Sequence, residues 1–479
     1  MSYRNVCINP RARTIKVTGL VIILLQVSVA MLGHSSRVPN RMHSSPKALL
    51  VSYTFPPTGG AGIHRVLKLA KYLPAYGVSP AVLTALNPSV PLRDESLLRD
   101  IPADMPLLRA RTLEPGYGIK AQTWKTSSGK MGSWRTRLLQ RVTSGARQLL
   151  LPDPQILWQP GAQLALARRL AGAERPDVVF ITAPPFSQFL LAPLARLRAG
   201  TAVVLDYRDE WSTLSQTYEM VAGDLPRVVG EALEGRLLRF AHAVTTATEA
   251  FRQNLLARFP FLQPERVFAI PNGYDREDIP AALPTPTGDR LVVTYAGTIF
   301  RLTSPAGLLG AVRRLHAASP DLASLLRLRF LGRIVETELP CFEGTEALGV
   351  ERVGYLPHDA MMKEVAASHL LLCLLDDTPG AERIYPAKIF ELMALGRPCL
   401  TLTPEGALAE LVRTTRLGDL LPPRDEPRIA EYLARLLADF RAGRLPAQAP
   451  PVGIERYDRK ALAGEFAEVF RRAIAWARK

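Results

Sequence analysis

The sequence predicts an α/β protein of more than one domain, and three observations carry that prediction. The run Leu370-Leu371-Leu372-Cys373-Leu374-Leu375, followed by the turn-prone Asp376-Asp377-Thr378-Pro379-Gly380, reads as a strand buried on both faces. A helix follows it, signalled by Pro386 near the start, Ile389, Leu392 and Met393 at helical spacing, and Gly396 and Pro398 past the end; the strand Cys399–Leu402 completes a β-loop-α-β unit. A similar unit opens the fold: a strand over Ala48–Tyr53, a loop Thr54-Phe-Pro-Pro-Thr-Gly-Gly-Ala-Gly62, a helix carrying Ile63, Val66, Leu67, Ala70 and Leu73, and a strand near Ala81–Thr84. At 479 residues there is room for two or three domains of roughly 150 residues each.

The segments between these units fit the same class. Strands are expected at Pro176–Thr182, Thr201–Asp206, Ala243–Ala247, Val267–Ile270, Leu291–Thr298 and Leu328–Leu331, with a helix near Glu234–Phe240. The turn Pro271-Asn-Gly-Tyr-Asp275 precedes a linker-like stretch from Pro280 to Pro286, where a second sheet begins. A last helix, Lys460–Lys479, carries Leu462, Phe466, Val469 and Phe470 on one face.

Composition narrows the function classes. An apolar content of 47% with 22% charged residues describes a globular chain, and the net charge of +16 favours an anionic partner. No helix-turn-helix, zinc or RNP pattern accompanies that charge, so nucleic acid is not the expected partner. Cys7, Cys341, Cys373 and Cys399 fit no metal-ligand spacing, which points to a reducing compartment without structural disulfides. Arg4, Arg11, Arg13 and Lys16 precede the apolar run Val17–Leu32, with Ser28-Val29-Ala30 resembling a cleavage site. That run is shorter than the ~20 residues of a spanning helix, so residues 1–45 read as an upstream extension, with an interfacial or reentrant anchor as the alternative. From Pro115 to Pro152 there is no acidic residue; basic side chains, Trp124 and Trp134 suit an anionic membrane surface as well as a solvated basic loop.

Loops at the carboxyl ends of such strands are where open α/β sheets bind ligands. Lys388 and Glu391 lie one turn apart at a helix start, where free amides suit a phosphate; the lysine can meet phosphate oxygens and the glutamate paired sugar hydroxyls, although a surface Lys–Glu pair explains them equally. Gly59 and Gly60 allow close backbone approach to a ligand. His64 reads as a substrate contact or a structural histidine. The strand in Thr201–Trp211 presents Asp206, Arg208 and Asp209 at its carboxyl end, the last two as a phosphate partner and a proton acceptor, or as an ion pair fixing a loop.

Several stretches resemble the family 4 retaining glycosyltransferases. Lys388-Ile-Phe-Glu-Leu-Met-Ala-Leu-Gly-Arg-Pro398 is similar to their donor motif ending Glu-Ala-Met-Ala-x-Gly-x-Pro, and Phe55-Pro56-Pro57 with Gly59-Gly60, Pro152-Asp-Pro-Gln-Ile-Leu-Trp158, Pro184-Pro-Phe-Ser187, Arg208-Asp-Glu-Trp211 and Pro271-Asn-Gly-Tyr-Asp275 resemble a subgroup's first domain. The resemblance implies two Rossmann-like domains facing across a cleft, the GT-B fold: an acceptor domain over 46–275, a nucleotide-sugar domain over 276–450, and a helix over 451–479 that crosses back. It implies a hexosyl transfer from a nucleotide sugar to a saccharide or lipid-linked acceptor in envelope or exopolysaccharide assembly, at the cytoplasmic face of the membrane. Donor contacts would come from Gly59, Gly60, Asn272, Gly273, Gly297, Arg301, Arg383, Lys388, Ile389 and Glu391, acceptor contacts from His64, Arg208 and Asp209, and catalysis from Asp209, Arg301 and Lys388. No lysine follows Arg301 where relatives place one, so Lys388 or Arg333 is expected to supply that charge. Arg383 stands where relatives carry a first glutamate. The sequence lacks an Asp-x-Asp triplet, so no metal and no cofactor are expected. An epimerase of the same fold and a non-catalytic nucleotide-sugar-binding protein remain as alternatives.

Overall fold

The computed structural model describes residues 45–90, 92–117, 150–211, 224–445 and 450–479. The apolar run Val17–Leu32 and most of the basic segment, with Trp124 and Trp134, lie outside the described residues. No helix among the described residues is long and apolar enough to cross a membrane.

Two parallel sheets form two lobes. In the first lobe the strands are β1 (Lys47–Val51), β2 (Ser79–Ala85), β3 (Leu107–Ala110), β4 (Val178–Ala183), β5 (Ala202–Tyr207), β6 (Ala243–Thr246) and β7 (Val267–Ala269), ordered β3-β2-β1-β4-β5-β6-β7. In the second they are β8 (Leu291–Ala296), β9 (Leu326–Leu331), β10 (Val350–Gly354), β11 (Leu370–Leu374), β12 (Cys399–Leu402) and β13 (Gly418–Leu421), ordered β10-β9-β8-β11-β12-β13. Helices cover both faces, which is why β4, β5 and β11 are buried along their whole length and, Thr182 and Asp206 aside, apolar. Strand order reverses between β1 and β4 and again between β8 and β11, so each lobe has one crevice where loops diverge.

The helix of the 388–398 motif spans Ile389–Leu395 and ends on Gly396, whose φ of 61° is the left-handed conformation of a helix terminus. The last helix, Arg459–Arg478, starts on Asp458, whose side chain accepts the Lys460 amide at 2.8 Å. It belongs to the core of the first lobe: Phe466 and Phe470 pack on Phe180 of β4 at ring-centroid distances of 5.6 and 5.5 Å. Its approach crosses the junction between lobes tightly. A Cβ on Gly273 would lie 2.1 Å from the Tyr457 carbonyl oxygen, so only glycine fits.

The short strands β3 and β13 were not foreseen, because Leu-Leu-Arg-Ala and Gly-Asp-Leu-Leu are edge strands, partly exposed and without a long apolar run. The helix expected near Glu234–Phe240 runs from Asp224 to Leu238. Cys373 and Cys399 are buried in β11 and β12 as free thiols, and Cys341 is also free.

Candidate active site

The loops at the two sheet reversals face each other and enclose a cavity of ≈ 680 Å³. The second lobe contributes the loops after β8, β9 and β11. Lys388 donates to Glu391 Oε2 at 2.7 Å, and His358 Nε2 lies 3.4 Å from Glu391 Oε1. Burial alone would raise the Glu391 pKa; the Lys388 ammonium and His358 outweigh it and hold the carboxyl well below its usual range. His358 packs at 4.8 Å against His64 of the first lobe, whose pKa is driven well below the usual histidine value by burial and by the charges around it. Glu391 itself does not line the cavity: an ionised glutamate stands behind Lys388 and His358, while a neutral His64 lines it.

The second lobe's cations divide sharply. Arg333 lines the cavity, and its guanidinium has no hydrogen-bond or ion-pair partner among the described residues. Arg301 is exposed and does not line it. Gly297 lines the cavity close to the loop after β9: a Cβ on Gly332 would sit 2.1 Å from the Gly297 carbonyl oxygen. Ile389 is buried in the core, and its amide already donates to the Pro386 carbonyl at 3.0 Å, so the helix start offers fewer free amides than the sequence suggests. Arg383 does not line the cavity. Its guanidinium grips Glu210 of the first lobe, with Nε 3.2 Å from both carboxylate oxygens and Nη2 2.7 Å from Oε2.

In the first lobe the Gly59 amide donates to the Leu92 carbonyl at 3.0 Å, and a Cβ there would meet the Tyr355 hydroxyl of the second lobe at 2.6 Å. Gly59 thus serves the contact between lobes, whereas Gly60, at φ 110°, lines the cavity. Arg208 lines the cavity too, but its guanidinium spends its donors on backbone carbonyls, reaching Ala183 at 3.4 Å and also Gly62 and Pro184. That arrangement ties the loops after β1, β4 and β5 together. Asp209 follows it, half-buried, its pKa raised by burial against the opposing pull of Arg208. Beside it Phe186 and Trp211 stack at 4.5 Å. Asn272 lines the cavity and Gly273 does not.

Residues 59–273 match the Glycosyl transferase 4-like domain, and residues 290–439 match Glycosyl transferases group 1. The chain belongs to the family 4 type of glycosyltransferases. Its GT-B fold is shared with solved structures along nearly its whole length. Sucrose-phosphate synthase from Thermosynechococcus elongatus aligns with a TM-score of 0.56 and 17% identity over 90% of this chain and 99% of that one. HepE from Anabaena, in complex with UDP and glucose, gives 0.56 and 16% over 88% and 98%. The N-terminal domain of a Candida albicans trehalose-6-phosphate phosphatase gives 0.58 and 9% over 92% and 100%. No curated protein matches the sequence.

Within this glycosyltransferase, the residues that sequence reasoning missed are mostly those that meet across the cleft. His358 is one of them, set between His64 and Glu391. Asp94, which accepts the His358 amide at 2.9 Å, and Glu210 were not singled out, although Glu210 lies inside the Arg208–Trp211 motif. Among the described residues, two groups of side chains have the spacing of metal ligands: His64, Asp278 and His358, and Asp100, Asp275 and Asp278. The carboxylates in both are already served by the buried Lys68 ammonium, at 2.6 Å from Asp100, 2.6 Å from Asp275 and 2.8 Å from Asp278.

Proposed function

We propose that this protein transfers a glycosyl unit, with retention of anomeric configuration and without a metal, from a nucleotide-sugar donor to a saccharide or lipid-linked acceptor. The observation that carries the reading is the cavity itself. Arg333 and Lys388 line it from the second lobe, after β9 and β11, and Asp209 from the first, after β5. Cations aimed at a departing diphosphate stabilise charge as it develops. Glu391, held ionised just behind the lining, keeps lone pairs beyond those that meet Lys388 and His358 for a ribose hydroxyl pair. Asp209 takes the acceptor hydroxyl proton or orients that hydroxyl. HepE was solved with UDP and glucose, which supports a uridine nucleotide as the first donor to test. The proposed place of action is the cytoplasmic face of a membrane, in polysaccharide assembly.

A thermal-shift panel of UDP, GDP, ADP, CMP and dTDP tests the reading. One nucleotide at 100 times its Kd should add about 2.7 kcal/mol of stability, and Lys388→Ala and Glu391→Ala should lose most of that gain. Stabilisation by none of them, or undiminished binding in both variants, would remove this cleft as a donor site. Turnover of the nucleotide sugar without any acceptor, yielding an isomerised sugar, would point instead to an epimerase.

A further inference from the structure

The Arg383–Glu210 contact joins the two substrate loops directly. Glu210 follows Asp209 and precedes Trp211, both of which line the cavity from the first lobe. Arg383 immediately precedes Ile384-Tyr385-Pro386-Ala387-Lys388, which line it from the second. The pair is bidentate and shielded, with the glutamate side chain 2% and the arginine 24% exposed. Neighbours hold both partners in place. Thr248 Oγ1 of the first lobe donates to the Arg383 carbonyl at 2.6 Å, and the Asn254 amide donates to Glu210. Behind Arg383, a Cβ on Gly406 would meet the Glu382 carbonyl oxygen at 2.4 Å, so the turn cannot retreat in that direction.

The opposite rim of the cleft is closed differently. There Arg99 pairs with Asp359 at 2.6 Å, with both side chains more than two-fifths exposed. Exposed pairs of that kind contribute little and are screened by salt. That rim is also joined by the buried Asp94 carboxylate, which accepts the His358 amide at 2.9 Å, so what sets the Arg383–Glu210 pair apart is a shielded ion pair whose two residues are chain neighbours of the reacting loops.

We propose that Arg383 and Glu210 are positioning residues that form a clasp, closing the lobes and setting the separation between Asp209 on the acceptor side and Lys388 on the donor side. The clasp touches neither substrate. It rests on the transferase reading for its role in turnover, but not for its role in closure. Losing the arginine removes a shielded ionic pair from between the lobes. A misplacement of about 1 Å between reacting groups costs up to about 100-fold in rate.

The test compares the full chain with Arg383→Ala, Glu210→Gln and the charge-swapped pair Arg383→Glu with Glu210→Arg. Three quantities are measured: the radius of gyration by small-angle scattering, the affinity for UDP by calorimetry, and the release of UDP from UDP-glucose with water as acceptor. Each single variant should scatter as a more open particle and slow release by about 10- to 100-fold, while UDP affinity changes less than about threefold. The swapped pair should recover part of the closure and rate. Unchanged scattering in the single variants overturns the clasp. An equal loss of UDP affinity and rate overturns it as well, because it would make Arg383 a donor ligand. If the wild type neither binds UDP nor releases it from UDP-glucose, the donor assignment fails, and the scattering comparison alone decides the clasp.

Discussion

The two lobes bring opposite kinds of charge chemistry to one cleft. Behind its cleft face the first lobe is a closed network: Arg65 binds Asp206 at 2.8 Å, Asp206 also accepts from Thr182 and Thr245 at 2.6 Å each, and the Arg65 guanidinium reaches the carbonyls of Ile270 and Pro271. The parallel register aligns Thr182, Asp206 and Thr245 across three adjacent strands, so the carboxylate is solvated by its own sheet. Lys68 is likewise buried among three aspartates. The second lobe keeps Arg333 without a partner in the cavity and Lys388 on a partly exposed pair with Glu391. Saturated charges hold a backbone in place, and unsaturated ones remain available to a ligand.

That contrast can be broken most forcefully at Asp206. Asp206→Ala strands a buried guanidinium and should cost about 3–5 kcal/mol of stability, measured by denaturant unfolding; a change under about 1 kcal/mol would mean that the network is not closed. Asp209→Asn should leave nucleotide affinity near wild type and reduce transfer about 100-fold, and an unaltered rate would deny the first lobe its chemical role. Because burial raises the Asp209 pKa, the acid limb of the rate profile should lie above the ordinary carboxylate range near 4 and vanish in the asparagine variant. Arg333→Ala should weaken nucleotide binding by about 1.5–3 kcal/mol with little loss of stability. Arg301→Ala, changing an exposed side chain outside the cavity, should shift affinity by less than about 0.5 kcal/mol.

The pH dependence of stability sharpens the same comparison. Asp153 and Glu234, both in the first lobe, are pushed up by burial to about 6 and about 7. The folded chain then keeps protons that the unfolded chain releases, so stability should decline as pH rises from about 4 to these values. Asp275 and Asp100 act in the other sense. Burial would raise them, but Lys68 and their hydrogen bonds hold them below the ordinary range. Their contribution is complete above the unfolded carboxylate pKa and is lost as pH falls through the lowered one. Asp153→Asn with Glu234→Gln should flatten the decline towards neutral pH and leave acid unfolding unchanged.

Much of the architecture was legible in local pattern. Leu370–Leu374 and Cys399–Leu402 announce themselves as buried parallel strands because nothing polar interrupts them, and Gly396 marks a helix end because its left-handed backbone is costly for other residues. Lys388 and Glu391 were readable as a pair from their spacing alone. The partners of Arg383, Arg208 and Gly59 were not. Glu210 lies 173 residues from Arg383, and the Tyr355 hydroxyl that Gly59 accommodates belongs to the other lobe.

The sequence by itself determined the two parallel sheets, their turns and the chemical types gathered at the strand ends, since hydrophobic period and turn chemistry act over a few residues. Only the tertiary structure decided which charges are spent and which stay free. Arg301 and Arg333 look alike in the chain, as do the arginines that bind carbonyls, a glutamate or nothing. Their fates follow from how the two sheets face one another, and Coulomb energy and desolvation depend on distances in space rather than on separation along the chain.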